Sequence, residues 1–150
     1  FLRMQIYYLK KEELWFRLHK SNSFGFNFAT QKQIKMALKI TDDCINCDAC
    51  IQECPNTAIY EPNENWTYAD GTSLVGMIKT LNGKEKNASE EYTPVSEEFY
   101  FIVEDKCTEC KGFHDEPQCA SVCPVDCIII DTDLGESEEQ LYAKKDWLHL

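Results

Sequence analysis

Thiols are the residues in this chain whose spacing speaks of chemistry. Nine cysteines fall in two tight groups, "CINCDACIQECP" from Cys44 and "CTECKGFHDEPQCASVCPVDC" from Cys107, with none elsewhere in 150 residues. A disulfide scaffold spreads its cysteines along the chain and uses an even number, so clumping on this scale points to metal. The first group has the CxxCxxCxxxCP spacing of a run that binds a 4Fe-4S cubane: Cys44, Cys47 and Cys50 sit on one tight loop and reach three iron corners, while Cys54, before Pro55, reaches across to another cluster. Zinc closes with four ligands in a tetrahedron and would leave the mid-loop cysteine without a role.

The second group completes the pair. Cys107, Cys110 and Cys119 would hold the second cubane together with Cys54, and Cys123, before Pro124, would cross back to join Cys44, Cys47 and Cys50. Eight residues separate Cys110 from Cys119 where the first run has two. That gap contains Gly112 and Pro117, which suit a compact outward loop. Lengthening a loop several-fold costs only on the order of 1 kcal/mol, so the ligand set survives it. His114 lies in the same gap, but histidine ligation of iron-sulfur centres uses two histidines on one iron, and this one is expected to face solvent. The ninth cysteine, Cys127, stands four residues after Cys123 as Ala58 stands four after Cys54, and is therefore expected to pack as a small apolar residue without binding iron.

The elements that must position these thiols form an internal repeat. "KITDDCINC" aligns with "IVEDKCTEC", and "CPNTAI" with "CPVDCI". Each copy offers a short strand, a CxxC loop, a brief helical turn before Cys-Pro, and a second strand, Ala58–Tyr60 or Ile128–Ile130. Residues 61–100 form an insert between the copies, in which Asp70-Gly71 and Asn82-Gly83 predict one or two hairpins. Ser137 with Gln140 makes a capping box for a terminal helix over about residues 138–149, with Leu141 and Leu148 turned to the body and Lys144 and Lys145 suiting its last turns. The sequence opens on Phe1, and "MALKITDDC" at Met36 reads like a fresh start; residues 1–35 are expected to be an upstream extension ahead of a domain spanning 36–150. The competing expectation is an amphipathic targeting helix, against which stand Glu12, Glu13 and a mere two arginines.

Charge divides the chain in the same place. Residues 1–35 carry seven Lys/Arg and two acids, whereas residues 36–150 carry eight Lys/Arg and twenty-four acids. An acidic body argues against binding nucleic acid and for docking on basic protein surfaces. No apolar run approaches the length of a membrane span, and no secretory signal pattern opens the sequence, so a reducing cytoplasm is the expected setting. Phosphate-cradling glycine loops, nucleophile motifs and the histidines that acid-base or zinc catalysis would require are all missing, which speaks against an enzyme.

Together "ITDDCINCDAC", "CPNTAI", "DKCTEC", "CPVDCIII" and the tail from Ser137 resemble the bacterial two-cluster 4Fe-4S ferredoxins, in particular the Chromatium-type subgroup. That subgroup has a lengthened second run, a ninth cysteine and a C-terminal helix. The likeness covers residues 36–60 and 101–148, and the long insert resembles that of Bacteroidetes-type ferredoxins. The resemblance implies an α+β dicluster fold, a pseudo-twofold repeat of short strands and helical turns around two 4Fe-4S clusters, and a low-potential carrier of single electrons between redox enzymes. Asp48, Asp105, Glu109, Asp115 and Asp126, close to ligands, favour a low potential. Two alternatives carry their own signatures: an electron-transfer subunit of a larger oxidoreductase would co-purify at fixed stoichiometry, and a zinc-stabilised interaction module would be colourless.

Overall fold

The computed structural model describes residues 36–150; the expectations for residues 1–35 lie outside the described residues. Six strands pair into three two-stranded antiparallel sheets: β1 (Met36–Ile40) with β6 (Ile128–Glu136), β2 (Ile59–Tyr60) with β5 (Phe101–Ile102), and β3 (Met77–Lys79) with β4 (Glu85–Asn87). The first two sheets express the repeat. In each, the strand leading into one copy's CxxC loop pairs with the strand leaving the other copy's Cys-Pro, in the registers Ile40↔Ile128 and Ile59↔Ile102. Pairing across the copies carries each Cys-Pro cysteine to the other copy's loop. Ile40, Ile59, Tyr100, Cys119, Cys127 and Ile128 then bury one shared core, which explains how two units too small to hold a core alone stabilise each other.

The repeat extends to backbone torsions. Asn46 and Glu109 hold equivalent positions two residues after the first cysteine of each run, and both have φ 51°. Thr57 and Asp126, three residues after each Cys-Pro cysteine, have φ 47° and 54°. Left-handed backbone is costly for residues with a side chain and is concentrated at functional loops. After Thr57 it turns the amide of Ala58 toward Cys54 Sγ, at 3.2 Å.

The copies differ in their helical turns. Before Cys123 a short helix, α1 (Gln118–Ser121), forms as expected, whereas the first copy has hydrogen-bonded turns at the same place, with Cys54 N donating to Ile51 O at 3.2 Å. β6 continues to Glu136, six residues past the predicted strand end, and leads directly into the terminal helix α2 (Glu138–Leu148). The capping box is present: Ser137 Oγ accepts from Gln140 N at 3.3 Å, and Ser137 N donates to Gln140 Oε1 at 2.8 Å.

Of the two predicted turns in the insert, one makes a hairpin. Asn82-Gly83 joins β3 to β4, but Asp70-Gly71 lies in a run of turns with no strand pair around it. Its glycine is needed for a different reason: at φ +64°, a Cβ on Gly71 would stand 2.1 Å from Thr57 Oγ1. Gly71→Ala is expected to destabilise the protein by about 1–3 kcal/mol, through overpacking and unfavourable φ together. Thermal unfolding checks this, and an unchanged Tm would show that the Thr57 side chain yields freely.

The insert has a core of its own. Tyr68, Ile78 and Ala88 are buried there with Trp66, Leu74, Tyr92 and Trp147 packed around them, Trp147 being supplied by α2. Trp147 Nε1 donates to Lys79 O at 3.1 Å, and Ser73 N donates to Leu148 O at 2.8 Å. Leu141 and Leu148 are buried as predicted. Insert and terminal helix are thus one packing unit, set against the second copy.

Candidate metal centre

Strand pairing across the repeat sorts the nine cysteines into two hollows. Cys44, Cys47, Cys50, Cys123 and Cys127 line the first, with Ile40, Ile45, Tyr100 and Ile128; Cys54, Cys107, Cys110 and Cys119 line the second, with Leu38, Ala58, Ile59 and Ile102. Each hollow has a volume of about 310 Å³ including its mouth. Cys127 apart, these two sets are the ones that the motif spacing predicts, with Cys54 and Cys123 exchanged between copies.

The donor set fits iron-sulfur cubanes. All nine cysteines are free thiols, and the walls between them are mainly aliphatic or aromatic, with Asp48 at the first and Asn56, Thr108 and Glu109 at the second. Among the described residues no three His, Cys, Asp or Glu side chains close on a single ion. Four thiolates that each bind a different iron corner have no need to do so. Backbone amides add to the fit: Ala58 N donates to Cys54 Sγ at 3.2 Å, and Gln118 N to Cys110 Sγ at 3.5 Å. At the position matching Cys54, burial pushes the Cys123 thiol up, but the amides of Val125, Cys127 and Asp126 outweigh it and hold Cys123 below its ordinary value. Amides aimed at sulfur stabilise thiolate ligands and the negative charge they carry.

Elsewhere burial dominates. It pushes Cys50 up to about 11, and Cys107 and Cys119 up to about 12, so metal binding there must displace protons from reluctant thiols. Metal uptake is therefore favoured by rising pH.

Cys127 is 4 % exposed and belongs to the shared core, where the repeat places it opposite Ala58. It also lines the first hollow, with its Sγ 3.5 Å from Cys123 Sγ. Burial pushes its thiol up to about 12, so it stays protonated and donates to Cys123. His114 is exposed, in the loop between Cys110 and Cys119, and lines neither hollow.

Sequence reasoning missed the buried cations beside the second hollow. Lys106, next to Cys107, is fully buried; its Nζ bonds Tyr60 Oη and donates to Thr67 O at 2.9 Å, and burial lowers its pKa to about 8. Lys144 was expected to serve the helix end. It instead reaches under α2, donating to Glu104 O at 2.9 Å and Cys107 O at 3.1 Å, and pairs with Glu136. One signal for the first was available: the repeat aligns Lys106 with Asp43, a charge reversal directly before a ligand. Two short carboxylate pairs also escaped notice, Tyr100 Oη with Asp48 and Tyr68 Oη with Asp105 at 2.5 Å. Burial and these carboxylates push both phenols up, which keeps them as donors.

Comparison with known proteins agrees with this donor chemistry. Residues 37–60, which hold the first cysteine run, match the family described as 4Fe-4S binding domain, so the chain is an iron-sulfur protein by its motif as well as its thiols. Ferredoxin Fdx2 of Sorangium cellulosum is 36 % identical over 114 residues, covering 76 % of this chain and 79 % of that protein. Ferredoxin YfhL of Escherichia coli is 35 % identical over 115 residues, or 76 % of this chain and 94 % of the relative. A solved structure, the ferredoxin from Thauera aromatica, is 37 % identical, covers 76 % of this chain and all of its own, and has a TM-score of 0.49. The chain belongs to the ferredoxin family. No helix among the described residues is long and apolar enough to cross a membrane.

Proposed function

We propose that this ferredoxin carries two 4Fe-4S clusters, one held by Cys44, Cys47, Cys50 and Cys123 and the other by Cys54, Cys107, Cys110 and Cys119, and that it moves single electrons at low potential between redox enzymes in a reducing cytoplasm. The observation that carries this is the grouping of Cys44, Cys47, Cys50 and Cys123 about one hollow and of Cys54, Cys107, Cys110 and Cys119 about the other, through the exchange of Cys54 and Cys123 between copies. When bound, each cubane takes up and gives back one electron. Its lengthened second run, ninth cysteine and capped terminal helix favour the Chromatium-type subgroup, with an insert like that of Bacteroidetes-type ferredoxins.

The chain's own residues would do three things. Thiolates hold iron, amides at Cys54, Cys110 and Cys123 stabilise sulfur charge, and aliphatic walls from Ile40, Ile59, Ile102 and Ile128 limit water. Reduction adds negative charge, which nearby carboxylates oppose. Asp48, Asp115 and Asp126 are exposed near ligands and Glu109 is buried between two of them, so low potentials are expected. Voltammetry of the loaded protein tests this; both couples lying well above the usual cellular reductants would refute it. Electron-transfer rates with a basic partner should fall as salt rises, because the body from Met36 onward carries eight Lys/Arg against twenty-four acids. Rates indifferent to salt would assign the acids to solubility alone.

A further inference from the structure

Resting on that reading, we propose that electrons enter and leave through the first hollow, and that its rim, Ile45–Ala49 with Val125, is the docking surface for a redox partner presenting an apolar contact ringed by Lys and Arg. The internal repeat allows the two sites to be compared residue for residue. Ile45 is 59 % exposed and its counterpart Thr108 is 1 % exposed. Asn46 and Cys47 are exposed, whereas their counterparts Glu109 and Cys110 are buried.

The cover on the second site has identifiable parts. Lys144 of α2 donates to Cys107 O, His149 bonds Asn56, and Asn56 in turn donates to Thr108 Oγ1 at 2.8 Å. A Cβ on Gly112 would meet the Lys145 side chain at 3.1 Å, so the helix lies directly on the loop. Electron transfer slows steeply with distance through protein. A partner must therefore come closest where the thiolate loop is bare, and that is the first site.

Charge selects the partner. No Lys or Arg occurs in residues 40–60, 87–105 or 121–130, which supply the whole lining of the first hollow, whereas Asp42, Asp43, Asp48 and Asp126 are exposed beside it. Lys106, Lys111, Lys144 and Lys145 all lie in or against the second copy's loop. Exposed Ile45, Val122 and Val125 within an acidic surround give an apolar centre with a charged rim, the anatomy of a protein interface. The β3–β4 hairpin shows another apolar patch, Val75, Met77 and Leu81. That patch carries Lys79, Lys84 and Lys86 against Glu85, and would repel the same partner.

The test uses the cluster-loaded full chain and a lysine-rich c-type cytochrome as the basic redox probe, at low salt. Hydrogen-deuterium exchange should slow in peptides spanning 42–50 and 122–127 on complex formation and stay unchanged in 74–87. Val122→Lys, at an exposed position outside the hollow's lining, should weaken binding about tenfold at unchanged iron content, by placing a cation in the contact, and Val75→Lys should leave affinity as it was. Protection of 107–118 or of the hairpin, unchanged affinity for Val122→Lys, or no binding at low salt would overturn the docking assignment while leaving the two-cluster reading intact. A wild-type chain without iron would overturn both.

Discussion

Replacing Cys119 with alanine is expected to remove half the iron from the protein, from about eight atoms per chain to about four, while Cys127→Ala retains all of it. Both thiols are buried and belong to the same core, so bulk and burial do not separate them. What separates them is partnership. Cys119 lines the second hollow with Cys54, Cys107 and Cys110, at the end of an eight-residue loop whose purpose in this account is to return it there. Cys127 lines a hollow that already has four thiols and spends its proton on Cys123. Replacing it removes one neutral donor near the first site, which should move that site's potential without emptying it. Iron analysis of the two purified variants checks this directly: equal losses would make Cys127 a ligand and reopen the assignment of all nine.

Lys144→Ala should be the most damaging change away from the thiols, costing about 3–5 kcal/mol and lowering Tm by on the order of 10 °C. The Lys144 side chain is 3 % exposed and ties three groups together: the carbonyls of Glu104 and Cys107 and the Glu136 carboxylate. Removing one partner of a buried ion pair leaves the other charged and unpaired, which is where the cost arises. Burial already pushes the carboxyls of Glu104 and Glu109 up, so a fresh unpaired carboxylate beside them would be poorly tolerated. Heating at a fixed scan rate, followed by visible absorption, measures the effect; replacing Glu136 with Leu in the same chain should restore part of the loss. A single variant that melts within about 2 °C of wild type would show that Leu141, Trp147 and Leu148 hold α2 without help from Lys144.

The lysine was invisible in the sequence for a physical reason. A Lys in the last turns of a helix satisfies a local rule about helix dipoles, and nothing local announces that a β6 strand running to Glu136 will swing α2 back over the Cys107 loop. The cysteines were legible because ligand geometry is written in short spacings, and the repeat was legible because "KITDDCINC" aligns with "IVEDKCTEC" and Ile59 and Ile128 stand five residues after Cys54 and Cys123. The capping box was equally plain, since Ser137 and Gln140 act within one turn. The insert was harder. Asn82-Gly83 and Asp70-Gly71 are the same signal in sequence, yet the second is required by its approach to Thr57, a contact made by tertiary packing. The unequal covering of the two hollows depends likewise on where the insert and α2 come to rest.

In the proposed reading that inequality gives the two sites different work. The second site is braced by buried lysines, the terminal helix and the insert's aromatic core, while the first keeps Ile45–Ala49 bare at an acidic surface.

Eight thiols in two sets are proposed to hold two cubanes. Iron and acid-labile sulfide, determined on the anaerobically purified wild-type chain alongside EPR of its reduced form, test it most directly. Two clusters require about eight of each per chain and a reduced spectrum broadened by interaction between neighbouring centres. About four of each with a single unbroadened signal, or a colourless protein containing zinc, would contradict it.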